Sequence, residues 1–284
     1  MLHDGKKIRE KMYEYLKDTY EGSTPPSWSI KDMLRVGYSF KEAEKQFKEL
    51  EEAVNLDKKM KILDAGCGFG YFVSYCIDKG YDCYGYEIDP RLAEISRDLL
   101  RMNHQNPEKI KLIGTNKLTY PKGTFDVINM HFVLDCVTDI PSLLKKLKTI
   151  LKVGGKMYSI NPNYYCLYNP VYSLIFIPWL PIFINRIYFR LMGRPNMHFL
   201  ESLTFTTPRM LENIFNNENL GYVNLGYQYW EDLISNRKLS DRSNFLRSLV
   251  KYFKRYKLTF FLRLVGKLGF YTPLVYVVEK RKNK

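Results

Sequence analysis

Apolar positions along this chain change their period several times, and each change marks a predicted element. Residues 5–20 and 41–54 carry helical spacing, seen in Ile8, Met12, Tyr15 and Leu16 and again in Ala43, Phe47 and Leu50. The breaker-rich stretch 22–28, Gly-Ser-Thr-Pro-Pro-Ser-Trp, predicts a loop between them. From about 60 to 162, short apolar runs alternate with helical stretches. The runs predict strands at 61–65, 82–87, 110–113, 125–130 and 155–160; the stretches predict helices near 69–79, 90–103 and 140–151. Such alternation implies an α/β fold with a parallel sheet and helices on both faces. Residues 273–280 alternate like an edge strand that closes the sheet antiparallel.

Residues 161–185 carry no charge. Crossing a bilayer takes about 20 continuous helical residues, and Pro170, Pro178 and Pro181 break this run into shorter pieces. It reads as an interfacial segment or as a cap over a substrate pocket. Residues 245–268 set Phe245, Leu246, Leu249, Val250, Phe253, Phe260, Phe261, Leu264, Val265 and Leu268 on one helical stripe. Arg247, Lys251, Lys254, Arg255, Lys257, Arg263 and Lys267 lie largely off it. That is the pattern of a helix lying in a membrane surface; a core-packed helix with a solvated basic face is the other reading. The expected organisation is a helical lid over 1–58, an α/β core over 59–162, an apolar cap over 163–220 and a final part, 221–284, holding the end of the sheet and the basic helix.

Charge sharpens this picture. The net charge is +14, yet residues 1–60 hold twelve basic and twelve acidic side chains, while residues 237–284 hold fourteen basic and two acidic. A basic block of this kind points to an anionic partner, either acidic lipid or nucleic acid. A hydrophobic content of 45% excludes a disordered chain. The five cysteines (67, 76, 83, 136 and 166) show no C-x-x-C spacing, so neither a disulfide framework nor a metal site is expected. The first residues lack the apolar run of a signal peptide, and the expected location is cytoplasmic, peripheral at the inner face of a membrane.

The candidate chemistry lies in residues 61–72, Lys-Ile-Leu-Asp-Ala-Gly-Cys-Gly-Phe-Gly-Tyr-Phe, followed by 81–90, Tyr-Asp-Cys-Tyr-Gly-Tyr-Glu-Ile-Asp-Pro. This is strand, glycine-rich turn, helix, strand and acid, the layout of a nucleoside-binding βαβ unit. Glycines let the backbone approach a ligand, and the acid at the tip of the second strand can accept from both ribose hydroxyls. The spacing is G-x-G-x-G, not the G-x-G-x-x-G of dinucleotide sites, and Asp64 precedes the first glycine by two. A carboxylate there suits a cationic ligand better than a pyrophosphate.

Residues 62–70 resemble motif I of the class I S-adenosylmethionine-dependent methyltransferases. Phe125-Asp126-Val127-Ile128 is similar to the family's fourth strand, and residues 151–156 to the turn into its fifth. The resemblance implies a Rossmann-like, seven-stranded, mostly parallel sheet with S-adenosyl-L-methionine as methyl donor. It also implies that Asp64, Gly66, Gly68 and Gly70 hold the methionine end and Glu87 the ribose. Cys67, Ile88 and Met130 complete the cofactor-binding set. The family often places an acid after the third strand to meet the adenine amine; this chain has Gly114-Thr115-Asn116, where Asn116 can accept from that amine. Helical N-termini commonly close over the cofactor in this family, which brings Trp28 or Tyr38 near the site.

Residues 125–139 resemble the branch that carries a Leu-Glu-His run after strand four, which includes ubiquinone-pathway and surface-glycan methyltransferases. Here the Glu-His pair is Asp135-Cys136, so a role of that histidine does not carry over. Asn161-Pro162-Asn163, and Phe205-Thr-Thr-Pro208 before a helix, also suit the branch. Deprotonation of an alcohol or phenol acceptor suits a histidine, and His198 is the first candidate base, with His131 second. The reading that follows is O-methylation of a small-molecule or lipid-linked acceptor, quinone-like or glycan, at an anionic membrane surface. Two rivals stand beside it: a nucleic-acid methyltransferase gripping phosphates with the basic terminus, and a cofactor-binding scaffold without catalysis.

Overall fold

The computed structural model describes residues 2–23, 29–113, 120–165, 168–169, 174–175, 180–235 and 244–281. Three helices come first: α1 (Leu2–Tyr20), α2 (Ile30–Val36) and α3 (Phe40–Val54). Ser29 starts α2 with a capping box closed by Asp32, Ser39 caps α3, and Asn55 ends α3 in the left-handed region at φ 56°. The α/β part then runs β1 (Lys61–Ala65), α4 (Tyr71–Asp78), β2 (Asp82–Glu87), α5 (Pro90–Met102), β3 (Ile110–Leu112), β4 (Phe125–His131), α6 (Ile140–Ile150) and β5 (Leu151–Asn161). Asp89 before Pro90 and Asp139 before Ile140-Pro141 each accept from the first-turn N–H groups of the helix that follows.

A short ladder of β6 (Tyr168–Asn169) and β7 (Leu174–Ile175) follows, then α7 (Ile182–Leu191), α8 (His198–Glu201) and α9 (Pro208–Asn217). The chain closes with β8 (Leu220–Asn224), α10 (Leu225–Ser235), α11 (Asn244–Arg255), α12 (Thr259–Lys267) and β9 (Leu274–Lys280).

Seven strands form the main sheet in the order β3-β2-β1-β4-β5-β9-β8, parallel except at β9. Successive side chains feed opposite faces. Leu63, Ile128, Met157 and Tyr276 enter one core, whereas Ile62, Val127, Tyr158 and Val277 enter the other. A third cluster joins Ile8, Met12 and Leu16 of α1 to Met33 and Leu34 of α2 and to Phe69 of the glycine-rich turn. A fourth holds the cap together through Tyr164, Phe189, Met197 and Leu200. None of the described helices is long and apolar enough to cross a membrane.

Two expectations are corrected. β9 is antiparallel as read, but it is not an edge: β5 flanks it on one side and β8 on the other. Its residues Leu274 to Val278 are all buried, as a strand covered on both faces requires. The basic stripe over 245–268 is two helices, because the chain turns at 256–258 with Lys257 in the left-handed region at φ 57°. Gly266 lets α12 lie directly on α10, since a Cβ there would run into the Trp230 indole, whose Nε1 donates to Leu262 O.

Candidate functional site

The strand order reverses between β1 and β4, so a crevice is expected beyond their carboxyl ends. The turn after β1 occupies that place. Its three glycines all have positive φ, at 73° for Gly66, 54° for Gly68 and 80° for Gly70. Packing explains two of them: a Cβ on Gly66 would lie 3.0 Å from Val133, and one on Gly70 would lie 2.8 Å from Ser96. A Cβ on Gly68 would meet no atom within 4 Å, so the space beside this glycine is open.

Glu87 ends β2 beside Gly68. Its Oε2 accepts the Gly68 N–H at 2.9 Å, and its Oε1 accepts Ile88 N–H at 2.7 Å and Asp89 N–H at 3.1 Å. Burial raises its pKa against the pull of these three donors. Ile88 is 50% exposed, an apolar surface next to that carboxylate. Asp64 is buried at the end of β1, where desolvation pushes its carboxyl up to about 7. Asn129 of β4 stands opposite it in register and donates to Asp64 Oδ1 at 2.7 Å. Asn129 escaped sequence reasoning; the signal was a lone amide within the apolar run of β4.

Other sequence candidates fall in different surroundings. Cys67 is buried in the core, its Sγ occupying the space that Gly85 leaves free, and burial raises its thiol pKa. Met130 is fully buried in the opposite core cluster. Thr115, Asn116 and Trp28 lie outside the described residues. His131 ends β4 with its ring edge-on to Phe132 at 4.5 Å, and burial pushes its pKa down to about 4. His198 opens α8 with an exposed side chain, while its backbone N–H donates to Asn196 Oδ1 at 3.0 Å. An exposed ring on the cap is a poor base for a reaction that needs water excluded.

The lid covers the turn. Phe69 lies edge-on to Tyr15 and to Tyr38, with centroids 5.7 and 4.8 Å apart. The Tyr15 hydroxyl donates to Asp89 at 3.1 Å, and Lys11 pairs with Glu94 and Asp98 of α5. At its other end the lid meets the cap: Tyr20 packs on Phe199 at 4.9 Å, and Ser23 Oγ donates to Asn196 O at 3.0 Å. Beneath, Asn161 Oδ1 accepts from Leu134 N–H at 3.1 Å, and Asn163 Nδ2 donates to Gly269 O at 2.6 Å. Asn161 Nδ2 also donates to Ser159 Oγ at 2.7 Å, so both asparagine side chains are committed within the protein.

Asp64 and Glu87 form no ion pair among the described salt bridges. Two buried carboxylates without a cation, next to a glycine open on one side, fit a cationic nucleoside better than a phosphorylated one.

A family model described as a methyltransferase domain matches residues 38–225. The chain belongs to this methyltransferase family. With its seven-stranded sheet, it is a class I, S-adenosylmethionine-dependent methyltransferase. Among similar methyltransferases is a sterol 4-C-methyltransferase of Caenorhabditis elegans, 29% identical over 108 residues, which are 38% of this chain and 32% of that protein. A demethylmenaquinone methyltransferase of Lactococcus lactis is 23% identical over 176 residues, 60% of this chain and 68% of that one. The match thus spans about a third of the first relative and two thirds of the second. In fold, the chain resembles a phosphoethanolamine N-methyltransferase of Haemonchus contortus solved with phosphomonomethylethanolamine and S-adenosylhomocysteine. The TM-score is 0.50 at 11% identity, covering 87% of this chain and 58% of that one.

Proposed function

We propose that this methyltransferase acts on oxygen in an acceptor of lipid character, quinone-like or a lipid-linked glycan, while resting on an anionic membrane at the cytoplasmic face. The observation that carries this reading is the surface of α12 and the turn before it. Phe260 is 68% exposed, and Phe261, Leu264, Val265 and Leu268 are exposed with it, interleaved with Lys257, Arg263 and Lys267. Soluble proteins rarely leave so many large apolar side chains together in water. Lys257 and Lys267 match an acidic lipid surface, each worth about 1 kcal/mol near it, while Arg263 is paired with Glu231 at 3.2 Å. On the cap, α7 leaves Phe183, Ile187 and Leu191 exposed beside Arg190, while Arg186 is paired with Glu201 at 2.7 Å. The relatives named for a sterol and for a menaquinone precursor are in keeping with a hydrophobic acceptor.

Bound cofactor supplies an electrophilic methyl group. Glu87 would hold the ribose and Ile88 would lie along the base. Gly68 would admit the cofactor to the backbone, and Asp64 would face the cationic methionine end. The lid and cap would then enclose the acceptor and exclude water, leaving positioning as the main contribution to rate.

Flotation with liposomes tests the membrane part. Binding to acidic but not neutral vesicles, lost at high salt, is the expected result. Failure to float, together with a shift of RNA at the same ionic strength, would transfer the basic region to nucleic acid. Mass spectrometry of membrane lipids from a deletion strain tests the acceptor, and an unchanged profile of methylated lipids overturns the lipid reading.

A further inference from the structure

The loop that follows β4 holds a carboxyl with an unmet need. Asp135 sits in a single 3-10 turn, Leu134–Cys136. Leu134 N–H donates to Asn161 Oδ1, Cys136 N–H donates to Val133 O at 3.0 Å, and Thr204 N–H from the cap donates to Asp135 O at 2.7 Å. Thr204 Oγ1 adds a second tie by donating to Val137 O at 2.8 Å. The turn is therefore rigid, and Val133 at its head packs against Gly66 of the glycine-rich turn. Its place is the carboxyl edge of the sheet, where β1 and β4 part.

Asp135 is only 4% exposed, and its Oδ1 has no hydrogen-bond partner. Two other buried polar atoms among the described residues share that condition, Gln105 Oε1 and Tyr120 OH. Neither belongs to an acid. A buried acceptor left unpaired is costly, and a donor brought by a ligand is one way to offset that cost. Tyr20 of the lid lies within electrostatic reach of Asp135, whose charge helps raise the Tyr20 hydroxyl's pKa. The neighbours of Asp135 are thus the lid and the cap, whereas Glu87 and Asp64 flank the glycine-rich turn.

We propose that Asp135 is the catalytic residue of the acceptor subsite: its Oδ1 takes the hydrogen bond of an acceptor hydroxyl and then its proton. In the balanced step, the oxygen lone pair forms the bond to the methyl carbon, the carbon–sulfur pair returns to sulfur to leave S-adenosylhomocysteine, and the hydroxyl proton ends on Asp135. Burial pushes this carboxyl up to about 6, a suitable value for a base near neutral pH. The competing groups suit the task less. The Cys136 thiol is exposed and donates to Phe132 O at 3.7 Å, and burial pushes His131 down to about 4. The inference rests on the methyltransferase assignment and on an oxygen acceptor, not on the acceptor's being a lipid.

The test compares Asp135→Asn, Asp135→Glu and wild type in the full chain. Each is incubated with methyl-labelled S-adenosylmethionine and an extract of the deletion strain, divided into lipid and aqueous fractions. Melting temperature and S-adenosylhomocysteine affinity are measured alongside. Asp135→Asn should melt no lower than wild type and bind S-adenosylhomocysteine equally well, yet label acceptor about 100-fold more slowly. Asp135→Glu should restore part of the rate. Label in the aqueous fraction would overturn the lipid reading and leave the Asp135 comparison intact. Asp135 is refuted by full labelling with the Asn variant, by a melting temperature that falls in step with cofactor affinity, or by a labelled product that carries its methyl on nitrogen or carbon.

Discussion

Replacing Glu87 by glutamine tests the cofactor site with the smallest change of shape. The carboxylate accepts three backbone N–H groups through two oxygens, one of them serving Gly68 alone. A glutamine oxygen can keep Ile88 and Asp89, but its NH2 then faces the Gly68 N–H, donor against donor. One buried charge-assisted bond is lost, worth about 1.5–3 kcal/mol, and the glycine-rich turn moves from its ligand-ready position. Ribose hydroxyls would also lose a charged acceptor, which costs about 1 kcal/mol more. Together these give about 3 kcal/mol, or about a 100-fold fall in affinity. Titration calorimetry with S-adenosylhomocysteine measures it, and a melting curve confirms that the variant is folded. A folded Glu87→Gln protein with affinity within threefold of wild type would remove Glu87 from the site.

The two glycines should separate binding from folding. Gly68→Ala meets no neighbour, so it pays only the left-handed strain of about 1–2 kcal/mol and should fold while losing cofactor affinity more than tenfold. Gly70→Ala drives a methyl onto Ser96, and its main effect should be a melting temperature several degrees lower. Asp64 predicts a pH dependence. Its folded-state value of about 7 exceeds the ordinary 3.8, so folding takes up a proton; its stabilisation is full below pH about 4 and lost as pH rises through about 7. Denaturant titrations of wild type should lose up to about 4 kcal/mol from this group between pH 4 and 8, a slope that Asp64→Asn flattens. His198→Ala should change turnover less than tenfold, because the ring is exposed; a loss of about 100-fold would return the base to the cap.

Local chemistry carried far into this fold. β1, the glycine-rich turn and β2 lie within thirty residues, and apolar period, positive-φ glycines and a terminal acid are all written locally. The carboxylates at positions 64 and 87 could therefore be named without coordinates. The caps at Ser29, Ser39, Asp89 and Asp139 follow from the same short-range rules.

Features that needed the tertiary structure involve partners distant in sequence. Asn129 meets Asp64 only because the register of β1 on β4 sets them side by side, 65 residues apart. β9 looked like an edge because alternation cannot tell how many neighbours a strand has; β8 on its far side decides that. The break at Lys257 turned one inferred stripe into two helices, since an amphipathic period continues across a short turn. Asp135 and His198 differ in surroundings for the same reason. Sequence ranks side chains by chemistry, and histidine ranks first as a base near neutral pH. Burial ranks them by what surrounds them, and here the lid, the cap and the turn after β4 enclose the aspartate and leave the histidine in water.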